Sequence, residues 1–363
     1  MGNPTDENDG MARIKVIGVG GGGCSAVSRM FRERIQGVEY IGMNTDAKAL
    51  LRCEAPVKIR VGEKLTRGLG AGGDPERGRQ SAEESLEEIR EAVSDADMVF
   101  IAAGMGGGTG TGGAPVVAEL AKEGGALTIA VVTKPFGFEG SRRRKLADEG
   151  LARLRDKVDT LITIPNDRLF AVCDEKATME NAFRLADDVL RQGIQAIAEL
   201  AIVPGDINLD FADVKAVMSN AGPAWMAIGR GSGKEKAIDA ARAAVTSALL
   251  DVSIDGAKGI LFNITGGPDL TLAEVQAAAD IIRSAADPEA NIFFGMLTDM
   301  KMEGEVKITI IATGFPTETS YVSRDEEISH LMEVIHDEAE IDIPPFLRRQ
   351  ANNNNNRKKT GIR

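Results

Sequence analysis

The feature that most constrains this chain is a run of ten residues, 104–113, of which seven are glycine. An apolar segment precedes it at residues 98–103 and predicts a buried strand. Residues 114–120 follow it and predict a helix with a proline in its first turn. A glycine loop between a strand and a helix offers free backbone N–H groups at the positive end of the helix dipole. The run, to which Thr109 and Thr111 add hydroxyl donors, therefore predicts a phosphate-binding site.

Two further glycine loops, at residues 18–23 and 68–73, follow predicted strands in the same way. The first lies between a predicted strand at 13–19 and a predicted helix at 25–36, and it matches the pattern GxGxxG. Taken alone, this loop is equally compatible with a nicotinamide- or flavin-dependent dehydrogenase, in which Asp46 would bind the ribose. A dinucleotide-binding fold needs one such loop, whereas three loops at successive strand ends favour a single polyphosphate held from several sides.

Strand and helix patterns alternate as far as residue 165, which predicts an α/β fold with a doubly wound, mostly parallel sheet. Asp74 and Pro75 are a typical N-cap and first residue of a helix, which we expect to run to about Val93. A long central helix is predicted at residues 178–203. The strand and helix patterns that follow it predict a smaller α+β domain.

We therefore expect the chain to divide into five segments. They are a disordered tail at 1–10, a nucleotide-binding domain with the central helix at 11–203, an α+β domain with an aspartate-rich loop at 204–316, an acidic linker at 317–340, and a C-terminal peptide with a basic tip at 341–363. The peptide begins with an apolar cluster, from Ile341 to Gln350, that contains prolines and arginines. Such a cluster beyond a polar linker predicts a short recognition motif.

The charge and the rare residue types exclude several function classes. A net charge of −12 argues against nucleic-acid binding and against adhesion to anionic lipid. No apolar run is long enough to span a bilayer and no signal peptide opens the chain, so we expect a cytoplasmic protein without direct membrane insertion. The three cysteines form no CxxC motif, which predicts reduced thiols. Both histidines, His330 and His336, lie in the tail, which excludes a Ser–His–Asp triad in the folded body.

Residues 229–234 are similar to a P-loop, but Ile228 occupies the position of its first glycine and Glu235 follows the lysine. Because no P-loop is present, the phosphates of a bound nucleotide would be held by backbone amides of the glycine loops. A Mg²⁺ ion would be needed to neutralise a triphosphate. The loop at 206–213 contains three aspartates. They could offer carboxylates to a metal-bound phosphate or to water; alternatively, Asp213 caps the next helix.

The segment GGGTGTG, residues 106–112, is the signature of the tubulin superfamily, and residues 12–316 closely resemble its prokaryotic branch, the FtsZ family. The resemblance implies a GTPase that binds GTP and GDP with Mg²⁺ and assembles into head-to-tail filaments of the cell-division ring at mid-cell. It also implies nucleotide contacts from the glycine loops, from strand ends and from the central helix. These are Gly21, Gly22, Gly23, Cys24, Ser25, Asn44, Ala71, Gly72, Gly73, Gly104, Gly107, Gly108, Thr109, Gly110, Thr111, Glu139, Arg143, Asn166, Phe183 and Asp187.

Within this set, the resemblance assigns separate parts of the nucleotide to separate residues. Glu139 and Arg143 match the ribose-side pair, Asn166 and Asp187 match guanine-side positions, and Phe183 packs beside the base. A carboxylate at Asp187 can accept hydrogen bonds from both N1–H and the 2-amino group of guanine. Adenine offers neither donor in that arrangement, so the resemblance implies selectivity for guanine.

The aspartate-rich loop matches the catalytic loop of the family at Asn208, Asp210 and Asp213. The resemblance implies that this loop completes the nucleotide pocket of the next subunit, where the two aspartates polarise the attacking water. The cluster at 341–350 resembles the C-terminal peptide through which the family binds membrane-tethering and regulatory division proteins. Ser25 departs from the family's usual asparagine, and one side-chain contact with the nucleotide is expected to be lost. Two alternatives stay open, an NAD-dependent oxidoreductase and a nucleotide-binding scaffold that does not hydrolyse.

Overall fold

The structure of the chain is a computed structural model that describes residues 12–33, 35, 37–171, 178–202, 210–247, 254 and 256–315. These residues belong to one unit of the chain, which ends at Phe315. The predicted N-terminal tail, the linker, the C-terminal peptide and the boundary at residues 203 and 204 lie outside the described residues. The predicted domain limits therefore stay predictions.

A single sheet runs through the described residues and contains ten strands. They are β1 (Ile14–Val19), β2 (Val38–Asn44), β3 (Val57–Arg60), β4 (Met98–Gly104), β5 (Leu127–Lys134), β6 (Thr160–Pro165), β7 (Gly222–Ser232), β8 (Gly259–Gly266), β9 (Asn291–Thr298) and β10 (Glu305–Thr313). Their order is β3-β2-β1-β4-β5-β6-β7-β10-β8-β9. Every pair from β3 to β7 is parallel, and so is β8 with β9, whereas β10 is antiparallel to β7 and β8. The predicted α/β fold with a mostly parallel sheet is confirmed.

Helices flank this sheet, and eleven α-helices fall within the described ranges. They are α1 (Gly20–Glu33), α2 (Ala47–Arg52), α3 (Glu63–Thr66), α4 (Pro75–Glu84), α5 (Leu86–Val93), α6 (Thr109–Glu123), α7 (Ser141–Arg155), α8 (Met179–Ile202), α9 (Phe211–Met218), α10 (Lys236–Val245) and α11 (Leu272–Ser284). The predicted cap of α4 is confirmed, because the Asp74 carboxylate accepts hydrogen bonds from the backbone N–H groups of Glu76 and Arg77. The helix predicted to continue to Val93 is interrupted at Ser85.

Apolar side chains cover both faces of the parallel part of the sheet. Val16 and Phe100 on one face pack with α1 and α8, whereas Ile17 and Ile101 on the other face pack with α4, α5, α6 and α7. A third apolar cluster lies between β7–β10 and helices α10 and α11. Because successive strand side chains point to opposite faces, strands covered on both faces are apolar at nearly every position. With both faces covered, the ends of the strands are the edge at which a ligand can bind.

Helices α1 and α6 begin at Gly20 and Thr109, whereas the sequence predicts starts at residues 25 and 114. The last glycines of each predicted loop therefore belong to the first turns of the helix. A Cβ atom on Gly112 would lie 2.0 Å from the carbonyl oxygen of Pro75 in α4. The contact between α4 and α6 thus leaves no space for a side chain, and this packing outweighs the poor helix propensity of glycine.

Strand β7 contains most of the segment that is similar to a P-loop in the sequence, residues 229–234. It pairs with β6 on one side and with β10 on the other, and so joins the two parts of the sheet. A Cβ atom on Gly229 would lie 2.0 Å from the carbonyl oxygen of Ala240 in α10. One on Gly231 would lie 2.0 Å from the carbonyl oxygen of Lys236. Glycine therefore permits a close contact between strand and helix here.

This packing predicts that Gly231→Ala lowers the free energy of unfolding by about 1–3 kcal/mol, because the added methyl group would push α10 away from β7. Gly107→Ala is the matched control, since a Cβ atom there meets no atom within 4 Å and the backbone is not left-handed. The control should leave the free energy unchanged or raise it by up to ~1 kcal/mol. Chemical denaturation without nucleotide measures both values, and equal changes in the two variants would contradict the close contact.

Candidate nucleotide-binding site

A cavity of about 640 Å³ opens at the carboxyl edge of the parallel strands, where the three glycine loops meet. This is the edge at which open parallel α/β sheets bind their ligands. Most of the predicted binding residues line it. They are Gly21, Gly22, Ser25, Asn44, Ala71, Gly72, Gly73, Gly104, Gly107, Gly108, Thr109, Gly110, Glu139, Arg143, Asn166, Phe183 and Asp187. The predicted residues Gly23, Cys24 and Thr111 lie outside the lining.

The first glycine loop forms the amino end of α1. Gly21 and Ser25 are exposed toward the cavity, and a Cβ atom on Gly21 would meet no other atom within 4 Å. Gly23 packs instead against β4, because its Cβ would lie 2.2 Å from the carbonyl oxygen of Ala102. The free N–H groups of this first turn and the helix dipole make the loop a suitable site for a phosphate group.

Cys24 is buried behind this first turn. Its thiol lies 3.6 Å from the carbonyl oxygens of Gly18 and Met43. Cys53, distant in the sequence, is buried close by, with its sulfur 3.6 Å from the carbonyl oxygen of Cys24. The neighbouring Cys53 thiol and burial raise the pKa of the Cys24 thiol above its usual range. Cys24 is therefore a neutral packing residue beneath the loop in this structure.

The second glycine loop, residues 104–113, connects β4 to α6, and two threonines hold it in place. The Thr109 hydroxyl oxygen lies 2.6 Å from that of Thr45, at the end of β2, and both residues are buried. The Thr111 hydroxyl accepts a hydrogen bond from the backbone N–H of Gly106 at 2.8 Å. Gly106 adopts a left-handed conformation, with φ at 90°. Thr111 therefore fixes the shape of the loop, while Thr109 lines the cavity and ties the loop to the neighbouring strand.

The third glycine loop, residues 68–73, lies between α3 and α4. Leu69 forms a β-bridge with Asp46, which holds the loop beside the end of β2. Gly72 and Gly73 are left-handed, and a Cβ atom on either would meet no atom within 4 Å. A Cβ atom on Gly108 of the second loop would lie 2.7 Å from that of Ala71. The second and third loops are therefore in direct contact at the cavity wall.

Glu139 and Arg143 form an ion pair at the side of the cavity. The Glu139 carboxylate also accepts a hydrogen bond from the backbone N–H of Phe136 at 2.9 Å, and its side chain is largely buried. Arg143 is about half exposed, so its guanidinium has access to solvent and to a ligand. The pair gives the cavity a fixed carboxylate acceptor next to a cation, a combination suited to a hydroxyl-bearing group such as ribose.

Asn166 and Phe183 line the cavity beside its glycine loops and the Glu139–Arg143 pair. The side-chain oxygen of Asn166 is buried and has no hydrogen-bond partner among the described residues. A buried acceptor without a partner costs free energy, so this oxygen is suited to a donor on a ligand. The Phe183 ring is 41% exposed and meets Phe136 edge-on at 5.4 Å between ring centres. One ring face is therefore able to cover a planar base.

Asp187 lies one turn after Phe183 on α8 and also lines the cavity. Arg29 of α1 donates a hydrogen bond to it, with 3.3 Å between Nε and Oδ2. Burial raises the pKa of the Asp187 carboxyl to about 6, although the guanidinium of Arg29 opposes the rise. A carboxylate with this environment is ionised at neutral pH but lies close to its titration range.

Of the predicted catalytic residues, Asp210 and Asp213 are described, and neither lines this cavity. Asn208 lies outside the described residues, and Asp210 and Asp213 are at the amino end of α9. The Asp213 carboxylate accepts a hydrogen bond from the backbone N–H of Asp210, at 3.3 Å. Helix α9 follows α8, whose last residue, Ile202, packs on Gly37 just before β2. The two aspartates therefore follow the end of α8 that lies at the amino edge of the sheet, opposite the cavity.

The cavity wall also contains residues that the sequence analysis did not assign to binding. They are Thr45, Asp46, Ala49, Leu69, Gly70, Met105, Thr133, Pro135, Ala186 and Leu190. Two signals could have found some of them. Thr45 and Thr133 belong to strand ends at the same edge, and Ala186 and Leu190 follow Phe183 at helical spacing.

Within the described residues, no group of three or more histidine, cysteine, aspartate or glutamate side chains is arranged to hold a metal ion. No helix in the same part of the chain is long and apolar enough to cross a membrane.

Comparison with known proteins shows which family the chain belongs to. The family model for the Tubulin/FtsZ family, GTPase domain, matches residues 13–174, and that for the FtsZ family, C-terminal domain, matches residues 222–316. An FtsZ dimer from M. jannaschii is 47% identical with a TM-score of 0.82, over 84% of this chain and 89% of that chain. This chain belongs to the FtsZ family. Because it contains the GTPase domain of that family, the chain is a GTPase with a tubulin-like fold.

Further solved structures support the FtsZ assignment. A mutant FtsZ of M. jannaschii is 46% identical, with a TM-score of 0.83 over 88% of this chain and 95% of that chain. CetZ2 from Haloferax volcanii, solved as a GTPγS-bound protofilament, is 22% identical with a TM-score of 0.73, over 90% of this chain and 99% of that chain. The likeness to CetZ2 shows the shared fold.

The hydroxyl pair between the second glycine loop and β2 gives a testable prediction. Thr109→Val should lower the free energy of unfolding by ~1–3 kcal/mol, because it leaves the buried Thr45 hydroxyl without its partner. Thr45→Val should do the same to Thr109. The double variant should lower the free energy of unfolding by clearly less than the sum of the two single losses. Denaturation of the three variants without nucleotide measures this coupling, and strictly additive losses would show that the two hydroxyls do not interact.

Proposed function

We propose that this GTPase assembles into head-to-tail filaments of the cell-division ring and hydrolyses GTP at the contact between subunits. The observation that carries the proposal is the separation between the nucleotide cavity and the two aspartates of α9 within one chain. Asp187 lines the cavity, and fifteen residues later Ile202 ends α8 beside Gly37. Fifteen residues of α-helix span about 22 Å. The α9 aspartates of one subunit would therefore act on the nucleotide of the next.

A contact of this kind joins two different faces of the same chain. Such a heterologous contact does not close on itself, and its repetition gives a filament. Exposed apolar residues suited to a protein contact lie at or beside the cavity. Leu69, which lines it, is 82% exposed, and Phe138, whose ring lies edge-on to that of Phe183, is 52% exposed. Large exposed apolar side chains around a polar site are typical of an interaction surface.

We propose that the cavity binds GTP and GDP with the phosphates at the three glycine loops and guanine at Asn166 and Asp187. The unpartnered Asn166 oxygen and the Asp187 carboxylate are both acceptors, which suits a base edge that carries donors. Phe183 would cover the base, and Glu139 with Arg143 would contact the ribose. The amino ends of α1 and α6, which both border the cavity, would face the phosphates in this orientation and so favour it.

Magnesium is part of the proposal because a triphosphate needs a cation and no P-loop lysine is present. Asp46 and Asp74 lie beside the glycine loops, but each caps a helix, Asp46 by accepting from the backbone N–H groups of Lys48 and Ala49. The ion would therefore be held mainly by phosphate oxygens and water, as Mg²⁺ often is. It would neutralise phosphate charge in the pocket, while the chain's own amides and carboxylates orient the nucleotide and the water.

Two alternatives are less well supported. A nicotinamide cofactor would use the first glycine loop and Asp46, but that loop shares its cavity with two others and Asp46 caps a helix. A scaffold that does not turn over GTP would need no acids at the subunit contact.

We further propose that residues 341–350, outside the described part of the chain, bind membrane-tethering and regulatory division proteins at the mid-cell division site.

The proposed catalytic role of α9 predicts that Asp213→Asn binds GTP and assembles, but hydrolyses ~10²–10⁴-fold more slowly. The matched control is Glu274→Gln, because Glu274 holds the same helix position in α11 and accepts from the backbone N–H of Thr271. The control should lose stability to a similar degree but keep its turnover. GTP hydrolysis is measured at equal folded fraction, and equal losses of turnover would reduce Asp213 to a helix cap.

Mixtures of the two proteins test whether the aspartates act on a neighbour. Asp213→Asn added to the unmodified chain should depress turnover by more than dilution, because each variant subunit leaves a neighbouring site incomplete. A loss proportional to dilution would show that every chain contains a complete catalytic site.

The proposed role of the C-terminal peptide predicts that deletion of residues 341–350 abolishes binding to a membrane-tethering division protein. Filament sedimentation and GTP turnover should be unchanged, because the peptide lies beyond the family's C-terminal domain, which ends at residue 316. Deletion of residues 351–363 is the control and should keep tether binding. Loss of polymer from the first deletion would make the peptide part of assembly.

A further inference from the structure

We infer that Arg29 is a positioning residue for base selection, which holds the Asp187 carboxylate ionised and directed into the cavity. The inference rests on the proposed guanine site. It begins from a contact between two helices that are far apart in sequence, since Arg29 lies on α1 and Asp187 on α8. Asp187 lines the cavity and Arg29 does not, so the guanidinium stands behind the carboxylate. It is placed to act on a ligand through Asp187.

The burial of the two side chains fits this division of roles. The Asp187 side chain is 17% exposed and that of Arg29 is 32% exposed, with 3.3 Å between Nε and Oδ2. Arg29 is the cation that pairs with Asp187 among the described residues. A carboxylate in such a place loses most of its hydration and depends on its partner to stay charged.

The other polar groups around Asp187 do not replace Arg29. On α8 itself, Asp188 disfavours the charged form of Asp187, although Arg191 and Gln192 hydrogen-bond to the Asp188 carboxylate. Across the cavity, Asn166 is uncharged. Glu139 and Arg143 form an ion pair with each other.

Base selection depends on this charge because the ionised carboxylate is acceptor-only, whereas the protonated acid carries an O–H donor. The guanine edge presents N1–H and the 2-amino group, which are both donors. A protonated Asp187 would place a donor against one of them. The pKa of Asp187 in the free cavity is about 6 even with Arg29 present, so removal of Arg29 would raise it further toward neutrality. Guanine binding should then weaken as the pH falls.

The experiment compares the affinities of the nucleotide-free full chain for GDP and ADP at about pH 5.5, 7 and 8.5. The GDP/ADP affinity ratio is the readout, because the terminal phosphates of the two ligands titrate alike and cancel. The variants are Arg29→Ala, Arg29→Lys and Asp187→Asn. Arg32→Ala is the matched control, since Arg32 lies on the same helix and pairs with Glu54 outside the cavity. Denaturation of every variant checks that it is folded.

Arg29→Ala should lower the ratio ~10-fold at neutral pH, the loss expected for a weakened hydrogen bond to a charged group. Most of that loss should be regained at high pH, where Asp187 ionises without help. Arg29→Lys should keep most of the ratio, and Arg32→Ala should not change it. Asp187→Asn should lower the ratio at every pH, because its amide cannot be an acceptor for both donors.

An Arg29→Ala loss of equal size at every pH would overturn the inference and make Arg29 a brace between two helices. An unchanged GDP/ADP affinity ratio in Arg29→Ala, with an unmodified chain that prefers GDP, would also overturn the inference. The proposed guanine site would still stand in that case. If the unmodified chain bound ADP as tightly as GDP, the proposed guanine site itself would be wrong.

Discussion

Helices α4 and α6 approach each other so closely that no Cβ atom fits at Gly112 or at Gly78, and the nucleotide cavity depends on this approach. A Cβ on Gly112 would meet the carbonyl oxygen of Pro75, and one on Gly78 would lie 2.1 Å from that of Gly108. Because α4 follows the third glycine loop and α6 follows the second, the contact brings both loops to the same wall. The phosphate end of the site is thus set by backbone packed on backbone, which explains how it can form without a P-loop lysine.

Much of this site could be predicted from the sequence, because a strand, a glycine loop and a helix in succession leave a local pattern. The pattern does not show which structural contact requires glycine at each position. By propensity the glycines of β7 and of the first turns of α1 and α6 indicate loops. Several of them instead lie where a Cβ atom would collide with another element, as at Gly23, Gly112 and Gly229. Cys24 is a similar case, since its position in the first loop says nothing of the direction of its thiol. The pairing of Arg29 with Asp187 joins two helices that no local pattern relates.

The central helix α8 runs from the nucleotide cavity to the opposite edge of the sheet. Its first turns carry Phe183 and Asp187 to the base end of the cavity, and its last residue lies at the opposite edge of the sheet. Between these ends the helix is buried against both parts of the sheet, as Leu190, Ile194 and Ile197 belong to the same apolar cluster as Met226 and Ile311. One well-packed helix therefore fixes the distance between the residues proposed to read the base and the end of α8 at the opposite edge of the sheet.

The separation of cavity and aspartates has an arithmetical consequence for a filament built in the proposed way. Each junction completes one site, so a filament of n subunits has n − 1 complete sites, and one terminal nucleotide always lies in an open cavity. A dimer then completes one site for two bound nucleotides, whereas a long filament completes nearly all of them. Enzymatic output per subunit would report filament length, and the open terminal cavity would be the place where nucleotide is exchanged.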